Sequence, residues 1–132
     1  MSGAALSAFL MFEGGVGADA IALYRSAFAD VQELSRELWD GQPGVAGHIK
    51  LARLRIAGTE VRISDTAFAH GFSFTPSLSL FVDFDDEGTL QHAVEVLGEG
   101  GAILMAAGNY GFSRRFCWLN DRFGVSWQLN LP

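Results

Sequence analysis

Trp118 to Pro132, WLNDRFGVSWQLNLP, is the stretch on which the reading of this 132-residue chain turns. It reads as a strand, a tight turn and a last apolar strand. Asn120, Asp121 and Gly124 supply the turn chemistry, because Asn and Asp tolerate left-handed backbone and Gly reaches positive φ without a Cβ clash. After the turn, Val125, Trp127 and Leu129 alternate with Ser126, Gln128 and Asn130. This period of two puts apolar side chains on one face and hydroxyl and amide groups on the other. The polar face is where a site is expected.

Upstream of that stretch, Ser113 to Leu119 and Ala102 to Ala106 read as two further strands. Before them, Glu87 to Leu97 reads as a helix, with Leu90, Val94 and Leu97 at i, i+4 and i+7 and with Gly98, Gly100 and Gly101 ending it. Asp83, Asp85, Asp86 and Glu87 form an acidic run that suits the positive end of the helix dipole. The strand that opens this half is Leu78 to Phe84.

The first half has the same order. Leu6 to Phe12 is a short apolar run closed by Gly14, Gly15 and Gly17, and reads as a strand. Ala18 to Ala29 has helical spacing at Ile21, Tyr24 and Phe28. Val31 to Trp39 is a strand of mixed pattern, and Asp40 to Gly47 is a loop by its Gly and Pro content. His48 to Ala57 and Glu60 to Asp65 form a hairpin about Gly58-Thr59. Thr66 to Pro76 has no sustained period and serves as a crossover loop. The expectation is one α+β domain over residues 1–132, built from two βαβββ modules at about 5–65 and 77–131 and joined by the loop 66–76.

Composition narrows the function. A net charge of −6 and the absence of a Lys/Arg cluster exclude a nucleic-acid partner, which needs a basic stripe to displace counterions. No apolar run approaches the roughly 20 residues of a membrane span. The one cysteine, Cys117, lies in an apolar segment and reads as a buried reduced thiol. With no apolar signal region behind a basic N-terminus, a cytoplasmic location is expected. At 49% hydrophobic and 12% aromatic residues, the chain has more apolar surface than one small core requires. A subunit interface or an apolar pocket would use it.

Four pieces carry a family resemblance: FLMFEG at Phe9 to Gly14, LYRSAF at Leu23 to Phe28, VRISD at Val61 to Asp65 and DRFGVSWQL at Asp121 to Leu129. With these the chain resembles the vicinal oxygen chelate superfamily, which includes glyoxalase I, ring-cleaving dioxygenases and antibiotic resistance proteins. More narrowly it is similar to the PhnB-like branch, labelled by similarity to a 3-demethylubiquinone methyltransferase. The resemblance implies paired βαβββ modules forming curved sheets, the glyoxalase/bleomycin resistance/dihydroxybiphenyl dioxygenase fold. It also implies a divalent-metal site with one His or Glu from the first strand and one Glu from the last strand of each module. At those slots this chain offers Ala8 or Phe9, Ser64 or Asp65, Ser77 or Ser79, and Gln128. Only Asp65 is a carboxylate, and Gln128 keeps the shape of Glu without its charge, so no metal and no other cofactor is expected. No glycine-rich strand-to-helix turn of the kind nucleotide-like cofactors use is present.

The candidate ligand-binding residues are therefore Gln128, His48, Asp65, Ser79, Arg115 and Trp118. Gln128 either hydrogen-bonds a ligand or satisfies its strand neighbours. His48, titrating near neutrality, is either an acid/base or ligand contact or a structural histidine. Arg114 and Arg115 face opposite sides of their strand, so one of them offers its fork to an anionic ligand or to a surface carboxylate. Trp39, Phe112, Trp118 and Trp127 line an aromatic pocket or pack a core or dimer contact. His70 and His92 are read as solvated. No catalytic residue is assigned. The expectation is a homodimer that binds a small organic molecule in a metal-poor cavity. The alternatives are a divalent-metal-dependent lyase, isomerase or dioxygenase, for which Asp65, His48 and Gln128 would have to converge, and a dimeric interaction module.

Overall fold

A computed structural model describes residues 3–132. Ten elements follow one another: β1 (Ala8–Phe12), α1 (Gly17–Ala27), β2 (Val31–Leu38), β3 (Ile49–Ile56), β4 (Thr59–Asp65), β5 (Leu80–Asp83), α2 (Glu87–Gly98), β6 (Ala102–Gly108), β7 (Arg115–Asn120) and β8 (Ser126–Leu131). The class is α+β, with two four-stranded sheets ordered β1-β4-β3-β2 and β5-β8-β7-β6. In each sheet the first strand runs parallel to the last strand of its own set, and the remaining pairs are antiparallel. The chain divides into two compact units, residues 1–25 with 29–71 and residues 26–28 with 72–132. One boundary lies between Gly71 and Phe72, and residues 26–28, at the end of α1, are grouped with the second unit. No helix among the described residues is long and apolar enough to cross a membrane.

In the first unit the buried face of the sheet carries Leu10, Phe12, Ala52, Leu54, Ile56, Val61 and Ile63. In the second it carries Val82, Cys117, Leu119, Trp127, Leu129 and Leu131, against which α2 buries Leu90, Ala93 and Leu97. The alternation read from the last strand thus sorts its side chains as expected. α2 begins at Glu87 because Asp86 caps it: the carboxylate accepts the Thr89 N–H at 2.8 Å, satisfying one of the donors a helix start leaves open.

The hairpin differs from the sequence reading by one residue. Its turn is Ala57-Gly58, with φ of 47° and 89°, and Ile56 pairs with Thr59. A two-residue loop between twisted strands needs positive φ at both centres, so Ala57 accepts the strained conformation that Thr59, β-branched, resists. Strand β5 is also shorter than Leu78 to Phe84, β6 runs on past Ala106 to Gly108, and β7 starts two residues after Ser113.

The turn before β8 is built by one side chain. Asp121 Oδ1 accepts the N–H groups of Phe123 (2.9 Å) and Val125 (3.1 Å), and Oδ2 accepts Trp127 Nε1 at 3.0 Å. Gly124 takes φ of 90°. Asp121 is 2% exposed, and these donors satisfy its buried carboxylate.

Candidate functional site

The face of the second sheet away from α2 carries Ser79, Phe81 and Asp83 at one edge, then Ser126, Gln128 and Asn130, then Phe116, Trp118 and Asn120. The register fixes this, since Phe81 pairs with Gln128, and Gln128 with Trp118. Four of these side chains form one hydrogen-bonded chain. Gln128 Nε2 donates to Ser79 Oγ at 3.2 Å, Ser79 Oγ and Ser126 Oγ lie 2.7 Å apart, and Trp118 Nε1 donates to Ser126 Oγ at 2.9 Å. Asn130 Nδ2 donates to Asp83 Oδ1 at 2.8 Å. The Oδ1 atoms of Asn130 and Asn120 are buried without a partner. Beside this polar ladder stands an aromatic group: Phe116 is buried, with Phe112 edge-on at 5.0 Å and Phe81 and Tyr110 each 6.3 Å away. Phe81 and Phe112 are more than half exposed.

Three of the six residues expected from the sequence, Gln128, Ser79 and Trp118, are therefore brought together. Arg115 is on the opposite face. Its odd-numbered neighbours Cys117 and Leu119 are core, and its guanidinium reaches α2, with Nη2 3.3 Å from Gln91 Oε1 and Nη1 3.7 Å from Glu87 Oε1. Arg114 Nε donates to the Pro132 carbonyl at 2.7 Å. Trp127 is core rather than pocket lining. His92 Nε2 lies 2.7 Å from the Ser26 carbonyl.

Asp65 and His48 belong to the first unit. Asp65 is 1% exposed, on the buried face of its sheet, and accepts the N–H of Gly17 at the start of α1 and the N–H of Ile49, both at 2.8 Å. Its carbonyl oxygen accepts Trp39 Nε1 at 2.8 Å. The carboxylate thus fastens a helix start to a strand start and has no free face for a metal or ligand. His48 lies flat against Gly15, where a Cβ would collide with the imidazole ring, and its Nδ1 is buried without a partner.

The open face of the first sheet has different chemistry. Phe9 pairs with Arg62, Arg62 with Arg53, and Glu60 with Arg55. Glu60 accepts Arg53 Nη2 (2.7 Å) and Nε (3.2 Å), Arg62 Nε (3.0 Å) and the Ser7 hydroxyl (3.3 Å). Hydrogen bonding to Arg53, then to Arg62, holds its carboxyl down to about 2 against the opposing effect of burial. These residues escaped the sequence reading, which took His48 to Asp65 only as a hairpin about Gly58-Thr59.

On the open face of the first sheet Arg62 stands beside Phe9 and Ser64 beside Met11, as Gln128 stands beside Phe81 on the second. Asp65 is on the buried face instead, and neither a guanidinium nor a hydroxyl supplies the carboxylate of the wider superfamily's metal site, so the residues present do not fit it. No cluster of three or more His, Cys, Asp or Glu poised for a metal occurs among the described residues. A polar pocket of about 230 Å³ opens elsewhere in the first unit, between Glu13-Gly14 and Thr66 to Ala69, and none of the expected site residues lines it.

Two four-stranded sheets, each of one βαβββ set with its first and last strands parallel, are the architecture of the vicinal oxygen chelate superfamily. Within it, the chain belongs to the family described as 3-demethylubiquinone-9 3-methyltransferase, the PhnB-like branch, which matches residues 4–130. Among solved structures, it is 38% identical to a putative 3-demethylubiquinone-9 3-methyltransferase, PhnB protein, from Bacillus cereus, with 98% of this chain and 100% of that one covered and a TM-score of 0.91. Protein PA1353 from Pseudomonas aeruginosa is 23% identical over 97% of both chains, with a TM-score of 0.78. The fosfomycin resistance protein FosX from Listeria monocytogenes, complexed with Mn(II) and 1S,2S-dihydroxypropylphosphonic acid, shares the fold at 11% identity, covering 98% of this chain and 93% of that one, with a TM-score of 0.65. No curated protein matches the chain.

Proposed function

We propose that this PhnB-like protein binds a small, planar organic molecule on the open face of its second sheet, without a tightly held metal. The observation that carries the reading is the chain Gln128–Ser79–Ser126–Trp118 lying beside exposed Phe81 and Phe112. Hydroxyls and an amide held in fixed positions next to free aromatic surface are what an oriented, mostly apolar ligand requires. The Gln128 amide and the Ser79 hydroxyl are the part-buried polar groups such a ligand would meet, so it carries hydrogen-bonding groups at the edge of its ring. Metal-dependent lyase, isomerase or dioxygenase chemistry is disfavoured, because the carboxylate of Asp65 is committed to two backbone donors and its strand turns Arg62 and Ser64, rather than a free carboxylate, to the open face beside β1.

The same reading includes a cytoplasmic homodimer. The outer strands β2 and β6 leave Leu34, Leu38, Ile103 and Leu104 at least 40% exposed, and unpaired edges with apolar side chains are surfaces that subunits cover. Light scattering should give twice the mass of the chain.

The test of binding is a thermal-shift screen of planar aromatic amides, phenols and amines on wild type, Gln128→Ala and Phe81→Ala, with elemental analysis of the purified protein. A compound should raise the melting temperature of wild type and lose most of that shift in both variants. Shifts equal in all three proteins, or a near-stoichiometric copurified metal, would overturn the reading.

A further inference from the structure

The first sheet's open face concentrates positive charge in a chain whose net charge is −6. Arg53, Arg55 and Arg62 share it, and the carboxylates on it are Glu60 and, at the β2 edge opposite Leu51, Glu37. Glu60 is shared by two guanidiniums. Arg53 gives it a bidentate fork, but Arg62 gives only Nε, so among the described residues both terminal nitrogens of Arg62 have no partner. Arg55 is exposed and has no ion pair there either. The Arg62 side chain is 44% exposed, and its register neighbour on β1 is Phe9, 57% exposed. A guanidinium with a free planar edge matches the two oxygens of a carboxylate, and its orientation is already set by the bond from Nε to Glu60.

We propose that Arg62, backed by Arg53 and Arg55, binds the carboxylate of a small aromatic acid whose ring lies on Phe9. Glu60 acts as a built-in counterion that positions both forks and moderates the affinity. The site stands on the first unit alone.

The experiment is a ¹⁹F NMR titration of 4-fluorobenzoate against wild type, Arg62→Gln, Arg62→Lys, Glu60→Gln and Arg122→Gln, with the neutral ester methyl 4-fluorobenzoate as the control probe. Wild type should bind the benzoate with a Kd in the millimolar range and the ester at least fivefold more weakly. Arg62→Gln should lose about tenfold in affinity, the scale of one charge-assisted fork at a half-exposed site. Arg62→Lys keeps the charge without the planar edge and should recover only part of that loss. Glu60→Gln frees the Arg53 fork and should bind several-fold tighter, and Arg122→Gln, which removes an exposed positive charge on the second unit, should match wild type. Absence of benzoate binding to wild type, equal affinity for the ester, or unchanged affinity in Arg62→Gln would each overturn the proposal.

Discussion

Gln128 and Arg62 lie on the open faces of two sheets of the same strand order, each on the strand that pairs with its sheet's first strand, yet their surroundings have little in common. Gln128 lies between Phe81 and Trp118 in a ladder of hydroxyls and amides, whereas Arg62 lies between Phe9 and Arg53 in a ladder of ion pairs. Their buried faces, by contrast, are alike: aliphatic and aromatic side chains, with one buried aspartate in each unit whose carboxylate accepts backbone N–H groups and, for Asp121, the Trp127 indole as well. The fold constrains the covered face of each sheet, because density and hydrogen-bond satisfaction must be met there. The open face is free to carry different chemistry.

The sharpest way to break that comparison is through the two buried aspartates. Asp65→Ala strands the N–H groups of Gly17 and Ile49, and Asp121→Ala strands those of Phe123 and Val125 and the indole of Trp127. Each should lower the unfolding free energy by about 3 kcal/mol in urea titrations. If either variant is as stable as wild type, the two buried faces are not constrained alike.

Next come the rings of the second open face. Phe116, 4% exposed and touched by Phe112 edge-on, should cost about 3 kcal/mol on truncation to alanine. Phe112, 63% exposed, should cost less than about 1 kcal/mol. Comparable losses in the two variants would mean that the aromatic group is core throughout and that no surface is left for a ligand.

A smaller effect distinguishes the charged face by pH. The folded pKa of Glu60, about 2, lies below its ordinary value of 4.5. Its contribution is therefore complete above the unfolded value and is lost as pH falls from about 4.5 towards about 2. Glu60→Gln should flatten the fall in melting temperature across that window, while Gln128→Glu, with no cation placed to receive it, should not steepen the fall. An unchanged acid profile in Glu60→Gln would show that the Arg53–Glu60–Arg62 group is a screened surface cluster.

The smallest effect is chemical. Burial raises the pKa of Cys117, with the nearby charge of Arg115 acting the other way, and the thiol lies under α2. At pH 8 it should react with a disulfide reagent roughly a hundredfold more slowly in the folded protein than in urea. Fast labelling of the native protein would mean that α2 opens readily from its sheet.

Alternation along Val125 to Leu131, helical spacing in the two amphipathic segments and the Asx chemistry at Asp121 are local, so the sequence alone determined the order of elements, the α+β class and the polar face on which Gln128 lies with Ser126. It could not determine which face of each sheet a helix covers. A period of two defines two sides without naming the buried one, and Asp65 and Arg115 both proved to lie on covered faces. The pairing of Phe9 with Arg62 and of Arg62 with Arg53 joins segments far apart in the chain, and only the long-range register of the sheet sets it. That register, rather than any motif, is what gathered guanidiniums on the open face of the first sheet while the second carries amides and hydroxyls there.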